Sequence, residues 1–220
     1  MRILTIACAV AVLCGCANEP KAPPVTGAYA GLPLAVFTHG KPDFAAITWS
    51  RVMMNGGVAA GLESVAEGND IVKEFEVDDP ALAIAASLET SLSASLRVIA
   101  GAPVRTDLFQ VQPGAKGLVL DVLSENWAFS YLPADPAQYQ VKYMGRARLV
   151  DAATGAELVS APCRWASEDN KNAPGYDELL AGRAALLKDM LAAAARDCAV
   201  AYRKQFLAAP ALQQTAPAVR

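Results

Sequence analysis

Leu118–Leu132, LVLDVLSENWAFSYL, is a long segment with the pattern of a β-strand, because Trp127, Phe129 and Tyr131 alternate with other residues. Two further segments of this kind follow it, Tyr139–Val150 (YQVKYMGRARLV) and Glu157–Trp165 (ELVSAPCRW). Short stretches rich in Pro, Asp and Gly separate the three, at 133–136 and 151–155. The sequence therefore predicts three consecutive strands that form an antiparallel meander.

Two segments with helical spacing lie on either side of this meander. Asp79 followed by Pro80 is a typical helix start, and the apolar residues up to Ile99 share one face. Asp177 opens a second helix, predicted over 176–207, whose apolar stripe includes Leu187, Leu191, Cys198 and Tyr202. These elements predict an α+β fold, an antiparallel sheet of four to six strands with two or more helices packed on one face.

Three segments nearer the N-terminus have weaker patterns. Leu34–Thr38 is short, apolar and partly β-branched, which predicts a first strand. Phe44–Met54 carries apolar residues at helical spacing around Trp49, which predicts a helix. Ile71–Val77 alternates apolar and acidic residues, which predicts another strand.

The aromatic residues of the meander have two interpretations. If the two long strands pair, the residues form a cross-strand ladder, made of Trp127, Phe129, Tyr131, Tyr139 and Tyr143. A buried ladder is simply part of the core. An exposed ladder is a binding surface for a partner protein, a glycan or an acyl chain. The Met-rich segment around Trp49 is interpreted as core.

The sequence contains five cysteines, and two of them remain once the N-terminal segment is set aside. Cys163 ends a predicted strand and Cys198 lies on the apolar stripe of the last helix. An even pair in an oxidising compartment predicts one disulfide. Two separate buried thiols are the alternative.

The first residues resemble a bacterial lipoprotein signal. Arg2 precedes an apolar run, Ile3–Leu13, which is shorter than the roughly 20 residues of a membrane-spanning helix. The run closes on LCGC at 13–16, which is similar to a lipobox, cleaved by signal peptidase II. The resemblance implies cleavage before Cys16, a diacylglyceryl thioether on its sulfur, and acylation of its new amino group by a chain such as palmitate. An ordinary secretory signal, with Cys16 a spare thiol, is the alternative.

The same resemblance predicts how the chain is organised. Residues 1–15 are a signal peptide, 16–33 a lipidated flexible tether, 34–208 a single periplasmic α+β domain, and 209–220 a disordered tail. Cys16 then provides the membrane contact, because several acyl chains hold a protein stably on a bilayer. Ala17 stands where lipoproteins of the inner membrane often carry aspartate, which favours the outer membrane, with the domain facing the periplasm.

Residues that could carry chemistry are few. His39 is the only histidine and lies in THGKP, a surface-turn composition, so we interpret it as a loop residue that folding does not need. No nucleophile motif accompanies His39, and two thiols with one histidine fall one ligand short of a structural zinc site. We therefore expect no catalytic residues, no metal and no cofactor. The net charge of −3 argues against nucleic acid as a partner.

The lipobox, the tether and the order of elements together resemble periplasmic lipoproteins of the curli-secretion-like and penicillin-binding-protein-activator-like families. The resemblance implies a non-enzymatic accessory or binding component of the cell envelope that acts through a partner protein. A lipid- or small-ligand-binding accessory protein is the alternative, and an envelope hydrolase ranks third.

Overall fold

The computed structural model of the 220-residue chain describes residues 27–101, 104–105, 115–169 and 172–213. The predicted signal peptide, Cys16, residues 16–26 of the predicted tether and residues 214–220 of the predicted tail lie outside the described residues.

Three long strands form an antiparallel meander, as the sequence predicts. They are β5 (Leu118–Leu132), β6 (Asp135–Asp151) and β7 (Glu157–Ala166), and each pairs antiparallel with the next. The register of β5 and β6 sets Trp127 opposite Tyr143 and Tyr131 opposite Tyr139. The predicted aromatic ladder is therefore formed.

The remaining strands make the sheet mixed, so the prediction of a purely antiparallel sheet is wrong. Both β1 (Pro33–Thr38) and β2 (Phe44–Ile47) run parallel to β5. They pair one after the other with the same side of β5, the side opposite β6. The short strands β3 (Ile99–Ala100) and β4 (Val104–Arg105) run parallel to β1. The connection permits the parallel direction, because parallel strands need a long crossover and the helices between β2 and β3 supply one.

Helices fill the connections and follow the last strand. They are α1 (Trp49–Asn55), α2 (Gly57–Glu74), α3 (Pro80–Leu96), α4 (Tyr176–Ala208) and α5 (Pro210–Gln213). The predicted start of α3 is correct, since the Ala81 amide donates to Asp79 Oδ1 at 2.9 Å. The helix ends at Leu96, before the predicted Ile99, because Arg97 adopts a left-handed conformation and Ile99 joins β3.

One large core lies between the sheet and the helices. Leu120 of β5, Ile71 of α2, Leu88 of α3 and Leu187 of α4 all belong to the same buried cluster. On the opposite face of the sheet the buried apolar side chains form a small separate cluster. Its members are Phe37, Val119, Val150 and Ala152. The described helices thus contribute to the core on one face only.

Two N-terminal predictions are wrong. The predicted helix Phe44–Met54 is strand β2 followed by the short helix α1, and the predicted strand Ile71–Val77 is the last turn of α2 with the loop after it. Phe44 is fully buried against β5 because α2 packs tightly over β2. Gly68 of α2 lies so close that a Cβ there would come within 2.0 Å of the Phe44 carbonyl oxygen.

The ends of the domain also differ from the prediction. In the predicted tether, the Gly31 amide donates to the Arg97 carbonyl at 2.9 Å, and Pro33 begins β1. In the predicted tail, Pro210–Gln213 forms α5 and buries Leu212 in the core. Helix α4 covers the predicted range but contains a left-handed turn at residues 182–184.

Candidate functional site

The aromatic ladder lies inside the core. Trp127, Phe129 and Tyr143 are fully buried and Tyr139 nearly so, while Tyr131 is partly exposed. The ring of Phe44 lies 4.9 Å from that of Trp127, edge to face, and 5.8 Å from that of Phe129. β2 and the helices cover the rings, so they are not available as an exposed binding surface.

The predicted disulfide is present. Cys163 of β7 and Cys198 of α4 are bonded, with their Cα atoms 5.7 Å apart. Beside this bond the indole N–H of Trp165 donates to Asp197 Oδ2 at 2.9 Å. The disulfide and this hydrogen bond therefore attach the same part of α4 to the strand at one edge of the sheet.

His39 follows β1 and contacts a buried carboxylate, which the sequence did not indicate. Its Nε2 atom forms a hydrogen bond with Asp121 Oδ1, and Arg148 Nε donates to Asp121 Oδ2 at 2.6 Å. The Asp121 side chain is fully buried. Each Asp121 oxygen has a nitrogen partner, so His39 and Arg148 together satisfy the buried carboxylate. The expectation that folding does not need His39 overlooks this contact.

A second buried carboxylate, Asp79, lies at the start of α3. Its Oδ1 atom accepts hydrogen bonds from the Ala81 amide and from the Ser124 hydroxyl, which also lies 3.1 Å from the Tyr143 hydroxyl. Burial raises the pKa of Asp79, and the hydrogen bonds and the nearby Lys41 partly oppose that effect. Burial likewise raises the pKa of Tyr143.

Several large apolar side chains on α1 and the first turns of α2 are exposed. These five side chains are 41 to 81% exposed. They are Trp49, Met53, Met54, Val58 and Leu62, and we call them the α1–α2 apolar surface. α1 has no buried residue at all. The interpretation of this Met-rich segment as core is therefore wrong, because β2 takes the buried place that a longer helix would occupy.

Polar contacts hold α1 and α2 on the domain. Arg51 of α1 pairs with Glu67 of α2 at 2.5 Å, and the Tyr176 hydroxyl donates to the other Glu67 oxygen at 2.5 Å. Burial and the Glu67 carboxylate both raise the pKa of Tyr176. The Trp49 ring also packs edge to face on Tyr131, with centroids 5.3 Å apart. The α1–α2 apolar surface is thus fixed to the sheet and to the start of α4.

This surface lies far from the point where the chain enters the domain. The chain enters beside Leu118, which pairs with Leu34, and the Tyr29 hydroxyl donates to Asp151 Oδ2 there at 2.8 Å. Burial and the Asp151 carboxylate raise the pKa of Tyr29 to about 12. Trp49 instead packs on Tyr131 near the other end of β5. At roughly 3.3 Å per residue the two ends of β5 are about 40 Å apart.

The described residues contain neither a membrane-spanning helix nor a metal-binding cluster. None of the described helices is long and apolar enough to cross a membrane. Within residues 27–101, 104–105, 115–169 and 172–213, no group of three or more His, Cys, Asp or Glu side chains is placed to hold a metal ion.

Comparisons with known proteins show similarity to solved structures alone. No family model matches the chain, and no curated protein matches it. A Caulobacter crescentus protein named as a lipoprotein is 13% identical, with a TM-score of 0.31, over 63% of this chain and 96% of its own. Uncharacterized lipoprotein B from Nitrosomonas europaea is 13% identical, with a TM-score of 0.32, over 84% of this chain and 90% of its own.

A Helicobacter pylori protein named as a neuraminyllactose-binding hemagglutinin homolog is 11% identical, with a TM-score of 0.41. That match covers 85% of this chain and 88% of the other. At these identities and TM-scores we carry no residue role or activity over from any of the three proteins.

Proposed function

We propose that this chain is a membrane-anchored lipoprotein of the outer membrane, faces the periplasm, and acts as a non-enzymatic accessory by binding a partner protein. The observation that carries the proposal is the α1–α2 apolar surface. Large exposed apolar patches on monomeric proteins often mark interaction sites, and these five side chains lie on two consecutive helices. Two of the five side chains are methionines, which adapt their shape to a partner.

The position of the surface favours a protein over the bilayer that would hold the lipid. The proposed anchor at Cys16 precedes the end of the sheet where Leu34 pairs with Leu118, and Trp49 packs near the other end. With the entry end toward the membrane, the α1–α2 apolar surface points away from it by about the length of β5. A protein in the periplasm, or one standing on the same membrane, can reach that end.

Photo-crosslinking in cells tests this proposal. A photoreactive amino acid replaces Met54 in the full-length protein, and the adducts are identified by mass spectrometry. Val200 is the matched control, since it is also a large apolar residue, 69% exposed, but lies on α4. We expect one envelope protein to form adducts from position 54 and none from position 200.

Introducing negative charges at the surface then checks whether that adduct depends on apolar contact. A variant with Met53→Glu and Met54→Glu carries the photoreactive group at position 58 instead. Adduct yield should fall at least about tenfold relative to the same probe without the two substitutions, while Val200→Glu has no effect. Both methionines are exposed, so the unfolding free energy should change by less than about 0.5 kcal/mol per site.

Three outcomes would overturn the proposal. Adducts with phospholipid would make the surface a membrane contact, and adducts of the chain with itself would make it an interface between copies. The same proteins crosslinked from positions 54 and 200 would show unspecific proximity.

A further inference from the structure

A cavity separate from the α1–α2 apolar surface lies where the loop between α2 and α3 meets α4. Its volume is about 360 Å³, within the roughly 300–1,000 Å³ range of small-molecule sites. The loop 76–80 and Ala83 of α3 form one wall, and Leu191, Ala192 and Ala195 of α4 form the other. α2 begins at the apolar surface and ends at the cavity, and its 18 residues span about 27 Å.

The lining combines apolar walls with charged groups of both signs. Asp78, Asp79 and Glu76 supply carboxylates and Lys188 an ammonium. Glu76 is paired with Arg183 at 3.0 Å. Asp78 is exposed at the rim, whereas Asp79 is only 6% exposed and belongs to the inner wall.

Asp79 is the polar group around which a ligand would be oriented. Both hydrogen bonds described for it, from the Ala81 amide and the Ser124 hydroxyl, end on Oδ1. Oδ2 is therefore the oxygen left to accept from a ligand. Lys41 lies nearby, but its ammonium donates to the Val77 carbonyl at 2.7 Å and, among the residues that the structure describes, forms no ion pair with Asp79.

We propose that this cavity binds a small organic cation, a protonated amine on a short apolar body, with the ammonium on Asp79 Oδ2. An ammonium donates to a buried carboxylate through a charge-assisted hydrogen bond, which is stronger than a neutral one. The apolar walls formed by Pro80, Ala83 and the α4 residues suit a hydrocarbon body. Burial disfavours the anionic form of Asp79, as its raised pKa indicates, and a bound cation would offset that cost.

The chemistry of the walls favours an organic cation over a metal ion. Calcium takes six to eight oxygen ligands and magnesium six, many of them from water or carboxylates. Six of the ten lining residues are apolar: Val77, Pro80, Ala83, Leu191, Ala192 and Ala195. The carboxylates of the lining are not among any group of described residues placed to hold a metal ion, whereas the apolar walls can cover an alkyl chain.

Ligand-observed saturation-transfer NMR on the purified full-length protein tests the proposal. The probes are n-pentylammonium, n-pentanol and pentanoate, which share a five-carbon body and differ in the charge of the head. For a probe of this size we expect n-pentylammonium to bind with a dissociation constant on the order of 1 mM. The alcohol and the carboxylate should bind at least about tenfold more weakly.

Two variants and one control connect this binding to the cavity. Asp79→Asn removes the charge but keeps a residue that caps helices as well as aspartate does. Ala83→Leu fills the cavity from an exposed position of α3, and Ala86→Leu adds the same bulk at an exposed α3 position outside the cavity. Each cavity variant should weaken n-pentylammonium binding at least about tenfold, and Ala86→Leu should leave it unchanged.

Three results would overturn the proposal. Equal saturation of the alcohol and the amine, or amine binding that both cavity variants retain, would show that Asp79 does not select a cation here. No saturation transfer from the wild-type protein to the amine would also overturn it. The partner-protein proposal rests on another surface and another experiment, so either proposal can fail while the other stands.

Discussion

At the scale of single residues, two buried carboxylates place the strictest demands on this protein. Asp121 is fully buried and has His39 and Arg148 as partners, while Asp79 caps α3 and bonds to Ser124. A buried charge that loses a partner destabilises the fold, because its desolvation is no longer compensated. The contacts of Asp121 with His39 and of Asp79 with Ser124 are not visible in the sequence, since they join residues 82 and 45 positions apart.

The first prediction concerns His39. His39→Ala removes the partner of Asp121 Oδ1 and should lower the free energy of unfolding by about 1–3 kcal/mol, measured by urea denaturation. In a double-mutant cycle, the added Asp121→Asn should reduce the cost of His39→Ala, because the neutral amide leaves no buried charge without a partner. An unchanged unfolding free energy in His39→Ala would show that histidine is dispensable and that Arg148 alone satisfies the carboxylate.

The second prediction concerns the pH dependence of stability at Asp79. Burial, opposed by its hydrogen bonds and by Lys41 and His39, raises its pKa above the ordinary 3.8. The folded state therefore holds this proton more tightly than the unfolded state does. The Asp79 contribution to stability is fully present below pH 3.8 and is lost as pH rises through the folded pKa.

Denaturation curves from pH 3 upward measure this effect. The difference in unfolding free energy between Asp79→Asn and the wild type should move in favour of the variant as pH rises through that window. Asp78→Asn is the matched control, because it removes a neighbouring carboxylate from an exposed position. A difference that is independent of pH would contradict the prediction.

At the scale of elements, the sequence predicts correctly where its signals are local and redundant. β5 to β7 combine alternation with clear turn residues, and α3 combines a cap, a first-turn proline and a long apolar stripe. Phe44–Met54 fails because a four-residue strand and a seven-residue helix lie within one apolar run. Ile71 and Phe75 fit a strand face, but they are also one helical turn apart, and contact with the sheet decides between the two.

The third prediction concerns the attachment of α4 to β7. Replacing both Cys163 and Cys198 with alanine removes a link that closes a separation of 35 residues. The unfolding free energy should fall by roughly 2–5 kcal/mol, a large share of a typical total of about 5–15 kcal/mol. Denaturation of the wild type with and without a reductant is the control, because it breaks the bond without changing a side chain. Two free thiols in peptides from the protein isolated without a reductant would contradict the structure.

At the scale of the whole molecule, the direction of the parallel strands could not be predicted from the sequence. The short, apolar and partly β-branched composition of Leu34–Thr38 predicts a strand, but it contains no information about which neighbour the strand pairs with or in which direction. The sequence did not predict the α1–α2 apolar surface for a related reason. Whether a Met-rich helix is core or surface depends on what covers it, and β2 takes the buried position that the pattern assigned to the helix.

The last prediction concerns the membrane anchor of the whole molecule. The resemblance of LCGC at 13–16 to a lipobox predicts that Cys16 is the acceptor of the lipid. Several acyl chains anchor a protein stably, whereas loss of the acceptor thiol leaves no acyl chain. Cys16→Ser should therefore move the protein from the membrane pellet to the soluble fraction, or leave an uncleaved precursor.

Fractionation and mass spectrometry of the mature N-terminus measure that shift, with Cys14→Ser as the matched control. Cys14 lies two residues away, and serine keeps a small residue there, so that variant should remain lipidated and in the membrane pellet. If Cys16→Ser stays in the membrane pellet with unchanged processing, the anchor lies elsewhere. The orientation argued for the α1–α2 apolar surface would then lose its basis, because it depends on a membrane attachment at the Leu118 end of the sheet.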